Sequence, residues 1–104
     1  MTRGEIWWVA FEPPIGRQPA VLMSRARAYQ ARAAITVIPL TRTIRSIPSE
    51  VLLEPGDGVP RRSVANADDI ITVAKVRIQS YMSTLSTAKL TAVERAITFA
   101  LDLP

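Results

Sequence analysis

Apolar and β-branched residues fall along this chain in short runs separated by proline, glycine and polar clusters, a pattern that predicts many short strands. Glu5 to Phe11 reads as the first strand, ended by Pro13-Pro14 and followed by a loop at Gly16. Ala20 to Ser24 is a second strand entered through Pro19, and Ala34 to Leu40 a third, with Pro39 confining its last residues to an edge or bulge. Between them, Arg25 to Ala33 has helix propensity but no apolar stripe, so a helical turn or surface excursion is expected. Ser46 to Ser49 is a connector, Glu50 to Glu54 a fourth strand, and Pro55 to Pro60 a turn cluster expected to be mobile. Ser63 to Ala67 and Ile70 to Val73 are two more strands with Asp68-Asp69 at their junction. Lys75 to Ile78 is a helical turn and Tyr81 to Leu85 a last extended piece. A C-terminal helix is the clearest element: Ser86 is its N-cap, and Leu90, Val93, Ile97 and Leu101 recur at helical spacing before Pro104. The expected fold is mainly β, a small barrel-like sheet with one packed terminal helix, forming a single domain without repeats or linker.

Composition removes several chemistries. The chain has 104 residues, no cysteine and no histidine. A disulfide scaffold, a thiol nucleophile, a histidine acid/base pair, a serine triad and a zinc site of the usual His/Cys kind are therefore out. No apolar run is long enough to span a membrane, and the N-terminus carries no apolar stretch of signal-peptide length, so a cytoplasmic chain is expected. Thirteen basic residues against nine acidic ones give a net charge of +4. All but two of the basic residues are arginine, and Arg17 to Arg62 holds eight arginines against Glu50, Glu54 and Asp57. Codon bias in a GC-rich genome explains such a count, and so does an anion-binding face, since arginine forks match phosphate oxygens. Charge alone does not choose.

Five segments do. Arg3-Gly4-Glu5-Ile6-Trp7 before an apolar strand resembles the opening of the MazF/PemK toxins. Gly16-Arg17-Gln18-Pro19-Ala20-Val21-Leu22 is similar to that family's Gly-x-Arg-Pro-x-Leu-Val segment, and Thr36-Val37-Ile38-Pro39-Leu40-Thr41 to its third strand. Gly58-Val59-Pro60 with Ser63-Val64-Ala65 resembles Leu-Pro-x-x-Ser-Val, and Asp68-Asp69-Ile70-Ile71-Thr72-Val73 stands where the family has Asp-Gln-Ile-Arg-Thr-Val. Each motif alone is weak, but five in one order cover nearly the whole chain. The resemblance implies an SH3-like small barrel of the MazF/PemK and CcdB toxin type. It also implies a homodimer, cleavage of single-stranded RNA without metal or other cofactor, and inhibition by a cognate antitoxin whose acidic disordered tail covers the RNA groove.

Cleavage of that kind uses the 2′-hydroxyl as internal nucleophile and needs a proton acceptor, a proton donor for the leaving 5′-oxygen and positive charge for the developing phosphorane. By the resemblance, Arg17, Thr41 and Asp68 are the catalytic candidates. The family's catalytic arginine stands directly before the proline of strand two, where this chain has Gln18. An adjustment of one residue in the Pro-Pro-Ile-Gly loop brings Arg17 into the pocket; alternatively Arg17 is a solvated loop charge. Thr41 matches a family Thr or Ser, or simply ends a strand. Asp68 matches an acid/base carboxylate, or makes an Asx turn. Asn66 and Ile71 stand where relatives have arginine. Gln18, Arg25, Arg27, Arg42, Arg45 and Asn66 are the candidate RNA-binding set. Trp7 and Trp8 point to opposite faces of strand one, so that one enters the core while the other lies at a dimer seam or stacks on a base. Two other readings stay open: a gyrase-binding toxin of the same fold, and a non-catalytic RNA-binding barrel.

Overall fold

A computed structural model describes all residues from Met1 to Pro104. Its strands are β1 (Glu5–Ala10), β2 (Arg17–Leu22), β3 (Ala34–Thr41), β4 (Glu50–Leu53), β5 (Ser63–Asn66), β6 (Ile71–Ala74) and β7 (Ile78–Thr84). The helices are α1 (Ala28–Ala31) and α2 (Thr87–Ala100), with 3₁₀ turns at Pro55–Asp57, Ala67–Asp69 and Lys75–Arg77. All pairings are antiparallel, in the order β4-β5-β3-β2-β1-β7, with β6 added on β3. The expected barrel is thus an open sheet, whose two end strands β4 and β7 share no ladder. No helix is long and apolar enough to cross a membrane.

Successive strand residues face opposite sides, and here both sides are buried. Ile6, Val21 and Ile38 join one core cluster with Leu53 and with Val93 and Ala96 of α2. Their neighbours Val9, Leu22 and Val37 join a second with Phe11, Ile35 and Ile78. Full burial of each such side chain contributes about 1.5–3 kcal/mol. Helix α2 lies over the first cluster, its N-terminus capped by the Ser86 hydroxyl, which accepts from the Lys89 amide at 3.2 Å. Its apolar stripe ends one turn earlier than expected, because the helix stops at Ala100 and Leu101 is exposed. The second cluster takes in Tyr29 of α1, so the segment is the expected helical turn, anchored in the core rather than a free surface excursion. The Tyr29 hydroxyl is buried without a hydrogen-bond partner, and this burial pushes its pKa up to about 12 against the opposing pull of the Arg3 charge.

Two further expectations need correction. Strand β2 starts three residues before Ala20, since Pro19 lies opposite Trp8 where β3 does not pair and its missing N–H costs no ladder bond there. The Pro55–Pro60 stretch is tied down: Glu54 and Asp57 form a capping box, Val59 is buried, and the Ser83 hydroxyl donates to the Gly58 carbonyl at 2.8 Å.

Candidate active site

Strand β3 changes partners along its length, and the change opens a cleft. Its residues Val37–Pro39 pair with Leu22–Ala20 of β2, but Leu40 and Thr41 pair with Ala65 and Val64 of β5. Pro39 stands at this fork, where a residue without an N–H is tolerated. Beyond the Ala20–Pro39 pair the strands part, and a groove of about 1100 Å³ fills the gap. Arg17, Gln18 and Trp8 line it from the β1–β2 side, Thr41, Arg42 and Thr43 from the β3 side, and Val59, Pro60 and Arg61 from the turn after β4.

Arg17 is held in two ways. Its guanidinium lies 4.2 Å from the centroid of the Trp8 ring, and its Nε donates to Gln79 Oε1 at 2.9 Å. Both terminal nitrogens are left free to donate as a fork. Arg42 and Arg61 likewise pair with no carboxylate; the ion pairs of the chain are Arg3–Glu94, Arg77–Glu12 and Lys89–Asp57. Three unpaired guanidinium groups therefore face a groove whose only lining carboxylate is Asp69.

Arg17 reaches this groove without the expected one-residue slip. The ladder keeps Ala10 opposite Arg17 and Val9 opposite Gln18, so Gln18 keeps its own place before Pro19. Gln18 and Thr41 each stand two residues beyond the Ala20–Pro39 pair and so share a face, whereas Arg17 stands on the face of Trp8. The Thr41 hydroxyl accepts from the Thr43 amide at 3.2 Å, which orients its lone pairs and leaves its proton to donate.

The remaining sequence candidates lie elsewhere. Asp68 does not line the groove: its carboxylate accepts from the Ser49 hydroxyl at 2.9 Å, and its amide donates to Asn66 Oδ1 at 2.9 Å. Asn66 is itself buried, serving as N-cap of the Ala67–Asp69 turn rather than as a groove contact. Arg25 and Arg27 follow β2 at the end opposite Arg17, and Arg45 lies past the groove with its amide donating to Glu50 Oε1 at 2.9 Å. Sequence reasoning missed Arg61, Asp69 and the Arg17 partner Gln79. Of the two tryptophans, Trp7 packs against the second core cluster and edge-on to Tyr81, and Trp8 faces the groove.

The fold and the cleft define a small β protein with an open, arginine-walled groove. The model of the PemK-like, MazF-like toxins of type II toxin–antitoxin systems matches residues 2–101, and the chain belongs to this family. It is 39% identical over 101 residues to the probable endoribonuclease MazF5 of Mycobacterium tuberculosis, covering 96% of this chain and 92% of that protein. It is 34% identical over 115 residues to endoribonuclease MazF9 of the same organism, covering 99% and 98%. Among solved structures it is similar to a mycobacterial endoribonuclease in complex with its cognate antitoxin, with a TM-score of 0.86 and 27% identity, covering 100% of this chain and 97% of that one. The fold is also that of the M. tuberculosis toxin MazF-mt6, with a TM-score of 0.88 and 23% identity over 96% of this chain and 98% of that one.

Proposed function

We propose that this toxin is an endoribonuclease that cuts single-stranded RNA in the groove at the β2–β3 fork, without a metal, and thereby arrests translation and growth. The observation that carries the reading is the convergence of Arg17, Arg42 and Arg61 with the Thr41 hydroxyl on one groove. The 2′-oxygen attacks the adjacent phosphorus, the bond to the 5′-oxygen breaks, and the hydroxyl proton ends on that leaving oxygen. The products are a 2′,3′-cyclic phosphate and a 5′-hydroxyl. The free Arg17 fork donates to the non-bridging oxygens as charge builds on them. Thr41 donates to a phosphate oxygen from the opposite wall, with the Gln18 amide on its face. Asp69 takes the acid/base place first given to Asp68, because it is the carboxylate that lines the groove. Arg42 and Arg61 hold the flanking phosphates. Two-metal catalysis relies on clustered carboxylates, and this groove offers one.

The same arginines suit the acidic tail of a cognate antitoxin, which inhibits by occupying the phosphate positions. A homodimer fits the apolar side chains left at the surface, Val76, Phe99, Leu101 and Leu103 among them. On β1 itself Ile6 and Val9 are taken up by the chain's own two clusters, while Trp7 and Trp8 remain partly exposed. The setting proposed is the cytoplasm, where RNA and antitoxin are met. The test is incubation of the purified chain with RNA oligonucleotides in EDTA. Cleavage should persist, leave a 5′-hydroxyl, and stop when the 2′-hydroxyl at the cut site is replaced by hydrogen, while DNA gyrase is unaffected. Cleavage that vanishes with chelator and returns with magnesium would refute the mechanism.

A further inference from the structure

Strand β7 runs beside β1 with two interruptions. Trp8 pairs with Ser80 but Val9 pairs with Ile78, so Gln79 is the extra residue of a β-bulge; Met82 is the extra residue of the other, between the Ile6–Ser83 and Trp7–Tyr81 pairs. A bulge turns its extra side chain out of the alternation of the ladder. At Gln79 the result is specific: the side-chain carbonyl reaches across β1 to β2 and accepts from Arg17 Nε at 2.9 Å. The Trp8 ring under the same guanidinium fixes its plane at 4.2 Å. Stack and hydrogen bond together settle the two freedoms of an arginine head, its tilt and its rotation in plane. The nitrogen that Gln79 occupies is the one least suited to end-on phosphate binding, and the bidentate edge is left for substrate.

We infer that Gln79 is a positioning residue: the bulge exists at this point of β7 to aim Arg17 into the groove. This rests on the assignment of Arg17 given above. The Gln79–Arg17 bond is solvent-exposed, and such bonds add little to stability, so its effect should show in rate and not in folding.

The experiment is single-turnover cleavage of an RNA oligonucleotide at saturating protein. Arg17→Ala, Gln79→Leu, Gln79→Glu and the Arg17→Ala/Gln79→Leu double variant are compared, with affinity for an uncleavable 2′-deoxy analogue measured alongside. Gln79→Leu should slow the chemical step about ten- to a hundredfold, the range expected when a catalytic group is misplaced by about 1 Å. Its melting temperature and its affinity for the analogue should stay at the wild-type level. Gln79→Glu keeps an acceptor oxygen at the same reach and should restore the rate to within a few-fold. In the Arg17→Ala background Gln79→Leu should cost nothing more, since the group it aims is gone. The Arg17 Nε–H signal in ¹⁵N spectra, slow to exchange in the wild type, should broaden or vanish in Gln79→Leu. A wild-type rate for Gln79→Leu beside a slow Arg17→Ala overturns the inference and leaves the role of Arg17 intact. Additive losses, or a loss of affinity alone, also overturn it. A wild-type rate for Arg17→Ala removes both.

Discussion

A single methyl group at Gly58 probes how firmly the groove wall is held. Gly58 has φ of +98°, a region in which a side chain costs about 1–2 kcal/mol. Built there, a Cβ would lie 2.5 Å from both Cβ and Oγ of Ser83. The Cβ of Ser83 is fixed to the β7 backbone, so no rotamer change relieves that overlap and the turn and the strand must separate. Separation breaks the 2.8 Å bond from the Ser83 hydroxyl to the Gly58 carbonyl, worth about 1 kcal/mol. Gly58→Ala should therefore lose about 2–4 kcal/mol, which for a domain of this size lowers the melting temperature by about 10 °C or more. Urea unfolding followed by tryptophan fluorescence at fixed protein concentration measures it. Adding Ser83→Gly removes the overlap but not the backbone strain, so the double variant should recover only part of the loss. A Gly58→Ala protein within about 0.5 kcal/mol of wild type would refute the picture of a tied-down turn.

Asp68→Ala should leave the cleavage rate of the folded protein unchanged and cost about 1–3 kcal/mol in urea unfolding, because the buried Ser49 hydroxyl loses its acceptor; a catalytic collapse without loss of stability would return Asp68 to the active site. Arg61→Ala should weaken RNA binding across sequences and reduce the slope of log K against log salt by about 1, so an unchanged slope would place Arg61 off the RNA path. The pKa of Tyr29 in the folded chain lies above the ordinary 10.0, at about 12, so the folded state keeps a phenolic proton that the unfolded state gives up. Stability supplied by the neutral phenol is complete below pH 10 and is lost as pH rises toward 12; Tyr29→Phe should flatten that loss in unfolding titrations, and parallel curves would contradict it.

Much of the fold was legible because its signals are local. Ser86 and the Leu90–Val93–Ile97 spacing mark α2, and the proline and glycine clusters mark the turns between strands. What failed was set by contacts distant in sequence. The length of β7 was underread because its two bulges break the alternation from which strands are recognised. Pro19 looked like a strand entrance because the residue's missing donor matters only if a neighbour needs it, and β3 begins pairing one residue later. At the groove, Arg17, Gln18 and Thr41 were picked out by motif and do line it, yet Asp68 and Asp69 are adjacent and alike in sequence. Only the Ser49 and Asn66 contacts reveal which of them is turned away. Arg25 and Arg27 entered the RNA-binding set as flanks of β2, but a strand has two ends and the fork is at the other one. Arg61 sits in a turn whose position depends on the Gly58–Ser83 contact, for which no local pattern exists.

The open sheet has a clasp where a closed barrel would have a ladder. Lys89 of α2 donates to the Leu52 carbonyl of β4 at 2.8 Å, and Ser83 of β7 fastens Gly58, so the turn after β4 bridges the two end strands, which share no ladder with each other. The residues that leave this bridge, Val59 to Arg61, are also a wall of the groove. A ligand held by Arg61 binds only while this turn is in place, so its binding stabilises the fold: about 2.7 kcal/mol at a hundredfold excess over its Kd. An antitoxin tail bound in the groove would act as a splint as well as an inhibitor, and the toxin released from it would lose that share of its stability.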